Sequence, residues 1–345
     1  MANIILPPGW QGREPDVTPR SVYENRRAFI KKLGLGAIGV AAGTTGLACA
    51  RNRGRSAANA PDGPLDTIPD DAPREGYPAP RNPAYTVERP ITDRKLASGY
   101  NNFYEFKNQG DLKEVWPLTG DYDPFPWTLE VRGLVEKEFT MDVARLLRTV
   151  DLEERLYRFR CVEAWAMTVP WTGFPLRTLV ERCKPLAKAR YVRFVCANRP
   201  KEMPGLARAD WYPWPYHEAL RMDEATNELA FVATGLYGEP LPKQNGSPLR
   251  LVLPWKYGYK GPKAFVRLEF TEEQPPTFWN TLQPGEYGFL SNVNPNIPHP
   301  RWSQAQEELL GTDENVPTRL FNGYGEWVAD LYPDEPRSPT KPMAR

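Results

Sequence analysis

The sequence predicts an α+β domain, mixed and mostly β, with few short helices. Three observations point there. Proline accounts for 38 of 345 residues and glycine for 26, and proline breaks helix interiors and sheet ladders alike. Short runs alternate like strands without alternating regularly with helices. Aromatic residues make up 12% of the chain, which suits ordered loops packed on a mixed core. A content of 41% apolar and 25% charged residues excludes a disordered polyelectrolyte and a multi-span membrane protein. A formal net charge of +1 leaves no basic excess for phosphates, so nucleic acid is not an expected partner.

Residues 1–50 read differently from the rest. Asn25-Arg26-Arg27-Ala28-Phe29-Ile30-Lys31-Lys32 precedes an uncharged run from Leu33 to Ala50, closed by the small-x-small pattern Ala48-Cys49-Ala50. The paired arginines make this resemble a twin-arginine export signal, which implies a periplasmic protein. An uncleaved anchor and a lipoprotein cut before Cys49 are the alternatives. This leader holds six Lys or Arg and three Asp or Glu; the remainder has 38 basic and 40 acidic residues, a net of −2. Residues 51–90, rich in Pro, Ala, Asp and Arg without periodicity, read as a linker or an extended arm. A single domain is expected over 91–335, with a tail at 336–345.

Within that domain, Trp127 to Arg132 alternates as a strand closed by Gly133. Met141 to Val150 carries apolar residues at helical spacing, with Thr140 as N-cap. Leu156 to Cys161 alternates again, which puts Phe159 and Cys161 on one face and Arg158 and Arg160 on the other. Cys161 thus ends a strand and enters a rigid loop, Val162 to Phe174, and Pro175 suits the first turn of a helix running to Cys183. Further strands are expected at Arg190–Ala197, Leu249–Leu253 and Phe265–Phe270.

Besides Cys49 in the leader, the chain has Cys161, Cys183 and Cys196. An odd count in an exported protein flags a reactive or metal-bound thiolate, against the ordinary reading of inert buried thiols. His217 and His299 are the two histidines, and no zinc, haem-attachment or iron–sulfur spacing is present. A Cys–His nucleophile pair stays open, because such partners meet only in the fold. Three spans could build a site. They are Asn101 to Phe106, Arg160 to Trp165, and the stretch from Gln244-Asn245-Gly246 through Arg250 to Lys263. The last places an arginine on a strand and three lysines in a glycine-punctuated loop, a cradle for phosphate or else a solvated basic loop.

Together these spans are similar to one family. Arg160-Cys161-Val162-Glu163-Ala164-Trp165 with Val169-Pro170-Trp171-Thr172-Gly173-Phe174-Pro175-Leu176 resembles the cysteine loop of the bacterial periplasmic protein-methionine-sulfoxide reductase catalytic subunits. These are molybdopterin-dependent enzymes of the sulfite-oxidase-like fold. Asn101 to Phe106, Pro242 to Leu251, Pro254 to Gly258, Asp223-Glu224-Ala225, Glu286 to Phe289, Asn292 to Pro295, His299 to Gln304 and Phe321 to Tyr324 extend the likeness over nearly all of the mature chain.

The resemblance implies that Cys161 is the thiolate ligand to molybdenum, within a sulfur-rich set that suits a soft ligand. It implies that Asn101, Tyr104 and Glu105 hold the pterin, that Asn245 and Arg250 bind its far side, and that Gly261-Pro262-Lys263 contact its phosphate end. Cys196 stands where well-known members have a threonine near the cofactor. Either its backbone makes that contact or a second thiol lies near the metal. The implied reaction removes oxygen from methionine sulfoxide in exported proteins, with electrons from a haem-containing integral membrane subunit that draws on quinol. Alternatives are another molybdopterin oxidoreductase of this fold, acting on sulfite or a small oxyanion or sulfoxide, and a metal-free binding module.

Overall fold

The computed structural model describes residues 63–109 and 113–339. The leader expected over 1–50, the start of the linker and the last six residues lie outside the described residues. Two mixed sheets carry the fold. In the first, β1 (Thr128–Gly133), β2 (Phe139–Asp142), β5 (Tyr191–Cys196), β6 (His217–Arg221) and β10 (Phe265–Thr271) lie in the order β2-β1-β10-β5-β6, with β1 and β10 parallel. The second sheet is built on β4 (Trp165–Pro175), which pairs with β3 (Glu153–Arg160) along its whole length. Its other edge is shared by β11 (Gln306–Leu309) near the start and β7 (Phe231–Leu236) near the end. The strands β8 (Glu239–Pro240), β9 (Arg250–Val252) and β12 (Asn315–Pro317) complete it. Helices are short, the longest being Leu176–Cys183. The α+β, mostly-β class expected from the proline content is the observed one.

Two stretches depart from the sequence reading. Residues 162–174, expected as a loop, are a hairpin turn followed by β4. Proline disfavours a central strand because it removes a ladder donor. Pro170 is tolerated because its side of β4 faces an irregular segment between β11 and β7, where Thr92 bonds Thr168 in place of a strand. The helix expected from Met141 to Val150 is shorter, Val143–Leu147. Met141 and Thr140 belong to β2, and the cap is Asp142, whose side chain accepts from the Arg145 amide at 2.7 Å. Aspartate outcompetes Thr140 because its carboxylate lies directly before the first helical turn.

The arm before residue 91 lies along the second sheet. Asn82 N–H donates to the Glu154 carbonyl at 2.8 Å, Tyr77 and Thr234 hydroxyls bond at 2.6 Å, and Thr67 reaches Gln244 at 2.6 Å. At the other end, Asn292 and Asn294 hold the Glu335 carboxylate at 3.0 and 2.8 Å. Among the described residues no helix is long and apolar enough to cross a membrane.

β3 is covered on both faces, so the arginine face is not a solvent face. Arg160 is 0% exposed and donates Nε to Glu307 (3.0 Å), whose side chain is 1% exposed. Its Nη2 reaches the Gln304 side chain (2.9 Å), the Gln306 carbonyl (3.2 Å) and Thr318 (3.3 Å), and its Nη1 bonds the Cys161 carbonyl. Removing one partner of a buried pair strands the other charge. Glu307→Ala is therefore expected to lower stability by about 3–5 kcal/mol, read from chemical or thermal unfolding midpoints, with Glu307→Gln losing less. A loss below about 1 kcal/mol would show that the guanidinium does not depend on this carboxylate.

Candidate functional site

Cys161 opens the turn that joins β3 to β4. Its N–H donates to the Trp165 carbonyl at 3.0 Å, and its carbonyl accepts from Ala164 at 3.1 Å. Ala164 has φ 69, so the turn is a three-residue hairpin loop closed by a left-handed residue. Gln304 Nε2 and Trp302 Nε1 both donate to the Val162 carbonyl, at 2.7 and 2.8 Å. The thiol therefore sits on a turn bonded from below by Arg160 and from the side by residues 302–304.

Cys161 Sγ accepts a long hydrogen bond from Glu163 N–H at 3.5 Å. Burial, then the Glu163 carboxylate, pushes the thiol up to about 12. Glu163 is a junction the sequence reading did not single out. Its carboxylate accepts from Trp165 Nε1 (3.0 Å), Asn102 Nδ2 (3.3 Å) and Lys113, tying the 101–106 loop to the cysteine turn. Burial pushes it up, but Lys113 outweighs this and holds it below the usual carboxylate range.

The other residues implied by the resemblance converge on the same place from both sheets. Asn101 is buried, with Nδ2 bonded to the Gln244 carbonyl and Oδ1 without a partner. Asn245, in a 3-10 turn, likewise leaves its buried Oδ1 unpaired. Arg250 starts β9, lies over the Trp171 ring at 4.9 Å, donates to the Asn245 carbonyl at 3.3 Å and leaves Nε unpaired. Burial alone lowers it to about 10; no carboxylate is among its electrostatic neighbours. Trp171 Nε1, beside it, is a further buried donor without an acceptor. Lys263 bridges to Arg250 across the sheet edge and donates Nζ to the Asn102 carbonyl at 2.7 Å. Gly246, at φ 103, gives Lys263 and Arg250 room, since a Cβ there would press on both side chains. Gly261 and Pro262 run along β9, with the Pro262 carbonyl accepting from Leu251 at 3.0 Å.

Glu105 and Cys196 are buried behind this rim, against the half-buried Lys263. Burial pushes Glu105 up to about 7, offset by Lys263, and pulls Lys263 below the usual lysine range, with Arg250 adding to the fall. The Cys196 N–H is bonded to the Tyr216 carbonyl at 2.8 Å, while its thiol accepts from the Lys263 N–H. The Cys196 thiol thus positions Lys263. Its own N–H is committed within the sheet.

Two expectations narrow. Of the three lysines in the 254–263 loop, Lys256 pairs with Glu224 at 2.7 Å and Lys260 with Glu218 at 2.9 Å, all four side chains buried. Lys263 alone of the three faces the cluster. Neither histidine is among the groups acting on the Cys161 thiol. His217 Nδ1 lies 2.8 Å from the Pro215 carbonyl, and His299 stacks on Trp302 with ring centroids 3.7 Å apart. Around the thiol stands an aromatic rim that the sequence reading assembled only in part. Tyr104 meets Trp279 edge-on at 5.0 Å, Trp279 meets Tyr287 at 5.1 Å, and Cys161 is among the groups that raise both tyrosines. Tyr104 lies over 170 positions from Trp279 and Tyr287, so no local pattern joins it to them.

Residues 116–279 match the oxidoreductase molybdopterin binding domain family. Over 321 residues, and 92% of both chains, the sequence is 46% identical to the protein-methionine-sulfoxide reductase catalytic subunit MsrP of Burkholderia mallei. It is 44% identical to the MsrP of Gluconobacter oxydans, over 92% of this chain and 93% of that one. The chain belongs to the protein-methionine-sulfoxide reductase catalytic subunit family. Among solved structures, the sulfane dehydrogenase SoxCD of Paracoccus pantotrophus is similar with a TM-score of 0.42 and 16% identity, covering 62% of this chain and 56% of that one.

The cofactor of this family domain is molybdenum–molybdopterin, and the cluster fits such a group on its own chemistry. It offers a buried soft sulfur ligand, two unpaired buried amide oxygens, an unpaired buried guanidinium N–H and a half-buried lysine within one rim. Thiol reactivity follows the thiolate fraction, which for a pKa of about 12 is on the order of 10⁻⁴ at pH 8. In cofactor-free protein, iodoacetamide at pH 8 is expected to leave Cys161, Cys183 and Cys196 unmodified until the chain unfolds. Rapid labelling of Cys161 in the folded protein, read by mass spectrometry, would contradict the burial argument.

Proposed function

We propose that this chain is the catalytic subunit of a periplasmic reductase that removes the oxygen atom from methionine sulfoxide in proteins. One observation carries the reading. Asn101, Asn245 and Arg250, three of the residues left with unpaired buried polar atoms, gather beside the Cys161 turn of a chain 46% identical to MsrP. The molybdenum–molybdopterin supplies two-electron oxygen-atom chemistry when bound. Cys161 gives up its proton to serve as thiolate ligand, a proton that burial holds until a cation replaces it. Asn101 and Asn245 accept hydrogen bonds from the pterin and Arg250 donates, while Tyr104 and Glu105 line the same side. Gly261-Pro262-Lys263 hold the phosphate end, with Cys196 fixing the Lys263 backbone.

The substrate side is the aromatic rim. Tyr104, Trp279 and Tyr287 present ring faces and edges to a methionine side chain, and sulfur–aromatic contacts contribute about 0.3–1.5 kcal/mol each. Burial raises both tyrosines, Tyr287 to about 12 and Tyr104 further, so both hydroxyls keep their protons at neutral pH. They can donate to the departing sulfoxide oxygen, which leaves as water after taking up two protons and two electrons. Sulfite chemistry, the nearest rival, calls for available cations at the thiol. Arg160 is committed to Glu307 and Gln304, and Arg177 donates to the Thr226 carbonyl at 2.8 Å.

The electrons come from a haem-containing membrane subunit linked to quinol, in line with the words "catalytic subunit" in the relatives' names. The twin-arginine pattern at Arg26-Arg27 supports export, and substrates are then oxidised exported proteins.

Protein expressed with cofactor supply is expected to carry near-stoichiometric molybdenum and to reduce a methionine-sulfoxide peptide. Cys161→Ser is expected to abolish turnover without shifting the unfolding midpoint. Absence of molybdenum, or full turnover by Cys161→Ser, would sink the reading. Cofactor affinity should also depend on pH in a set direction. Cys161 loses its proton on loading, so affinity rises with pH, by up to tenfold per pH unit. Lys263 is depressed in the cofactor-free protein, and a bound phosphate restores its proton affinity, so above the depressed pKa Lys263 takes up a proton on loading and the rise levels off. Lys263→Met should remove the levelling.

A further inference from the structure

Cys161 faces one side of β3; the other side carries an imbalance of charge. Arg158 and Arg160 share that side, and Arg89 reaches it from the arm. Glu307 serves two guanidiniums, Arg160 at 3.0 Å and Arg89 at 2.7 Å. Arg158 is 7% exposed, forms no ion pair among the described residues, and its Nη1 meets only the Asn322 carbonyl, at a long 3.4 Å. Arg319, exposed, is likewise without an ion pair among the described residues. Arg89 Nη1 is buried with no acceptor.

These side chains converge on one turn. Phe321, Asn322 and Gly323 are all left-handed, with φ 52, 55 and 89. A Cβ on Gly323 would run into Arg158 Nη1 and press on Arg319 Cδ, so the two arginines flank the glycine from either side. The Tyr324 hydroxyl accepts from the Arg158 N–H at 2.9 Å and feels the charge of both Arg158 and Arg89. Burial, then Arg319 and Arg89, lower the proton affinity of Arg158 more than Tyr324 and Glu307 raise it. Cations held this close with one carboxylate among them cost stability unless a further anion joins them.

We propose that Arg89, Arg158 and Arg319, around the left-handed turn Phe321–Gly323, form a binding site for a tetrahedral oxyanion of the phosphate class. Guanidinium forks match the paired oxygens of a phosphate. Arg158 and Arg319 supply two cations without ion pairs among the described residues and Arg89 Nη1 an unpaired donor, gathered at the close approach that Gly323 permits. With Arg160, four guanidiniums face the one carboxylate of Glu307, and a dianion offsets two of the three surplus charges. The site lies on the face of β3 opposite the thiol and uses none of the residues assigned to the cofactor. The same chemistry is offered by free phosphate and by a phospholipid headgroup.

The test uses the cofactor-loaded enzyme, so that Arg250 and Lys263 are already occupied. Inorganic phosphate is titrated by calorimetry and by thermal shift against chloride at equal ionic strength. Wild type is expected to bind one phosphate per chain at sub-millimolar concentration. Arg319→Gln, at an exposed position that leaves folding intact, should weaken binding at least tenfold and Arg158→Met should abolish it. Both variants should melt higher than wild type without phosphate, because an uncompensated cation is gone. Arg132→Gln, a surface change elsewhere, should bind like wild type. Sedimentation with phosphatidylglycerol and phosphatidylcholine vesicles separates the sources. Pelleting with phosphatidylglycerol that Arg319→Gln removes assigns a headgroup, whereas phosphate binding without pelleting assigns the free anion. No phosphate binding beyond the chloride control together with no Arg319-dependent pelleting overturns the proposal, as does binding that both variants retain.

Discussion

The cysteine turn depends on the side chain that precedes it. Strand alternation sends Arg160 into the interior while Cys161 turns the other way. A guanidinium with no solvent must find an acceptor for each of its donors. It finds them on Glu307, Gln304, Gln306, Thr318 and the Cys161 carbonyl. β11 and the segment before it are thereby fastened to the tip of the β3–β4 hairpin, and Gln304 extends the link to the Val162 carbonyl. A thiol on a turn would ordinarily share the mobility of loops. Here the turn is bonded from two directions, and Sγ is held in place by a charge it never touches.

The same bookkeeping of polar groups separates scaffold from site. Lys256, Lys260 and Arg160 are buried and each has a carboxylate partner, Glu224, Glu218 and Glu307. Arg250 is as buried but has no carboxylate beside it, and its Nε lacks an acceptor. The unpaired amide oxygens of Asn101 and Asn245 lie next to it in the same rim. Leaving a buried polar group unmade costs about 1–3 kcal/mol. With Trp171 Nε1, four such atoms gather in this rim, where a bound group would satisfy them; Ser98 Oγ, Arg193 Nε and Glu218 Oε1 are unpaired elsewhere in the scaffold.

Much of this was legible in the residues, and the failures have physical causes. The strands at Thr128–Gly133, Tyr191–Cys196 and Phe265–Thr271 follow from alternation, because each buries one face more than the other. β4 was hidden by Pro170 and Gly173, which read as loop until the irregular edge beside Thr92 accounts for the proline, and Pro175, read as the first turn of the helix, is the last residue of the strand. The helix after β2 was overextended because apolar spacing continued past the point where Asp142 and the strand set its start. The three lysines of the 254–263 loop looked alike in sequence; only the positions of Glu218 and Glu224 distinguish them. Tyr287 stood out only as part of the stretch Glu286 to Phe289 that carries the family likeness, and Trp279 carried no signal, since their place beside Tyr104 is created by the fold.

The protonation of Cys161 decides what kind of chemistry the site can host. A cysteine nucleophile works as a thiolate in the free enzyme, kept so by an imidazolium, a helix N-terminus or nearby cations. At Cys161 the balance runs the other way. Burial and the Glu163 carboxylate raise the thiol to about 12, and they outweigh the Glu163 N–H, Lys113 and Arg160, which act to lower it. Neither histidine is placed to take the proton; one stacks on Trp302 and the other packs near Phe278. Left alone, such a thiol is inert. A soft metal cation reverses this by displacing the proton outright, which turns the same burial into protection of the metal–sulfur bond from water and competing thiols. The environment that disqualifies Cys161 as a nucleophile is therefore the one that suits it as a ligand.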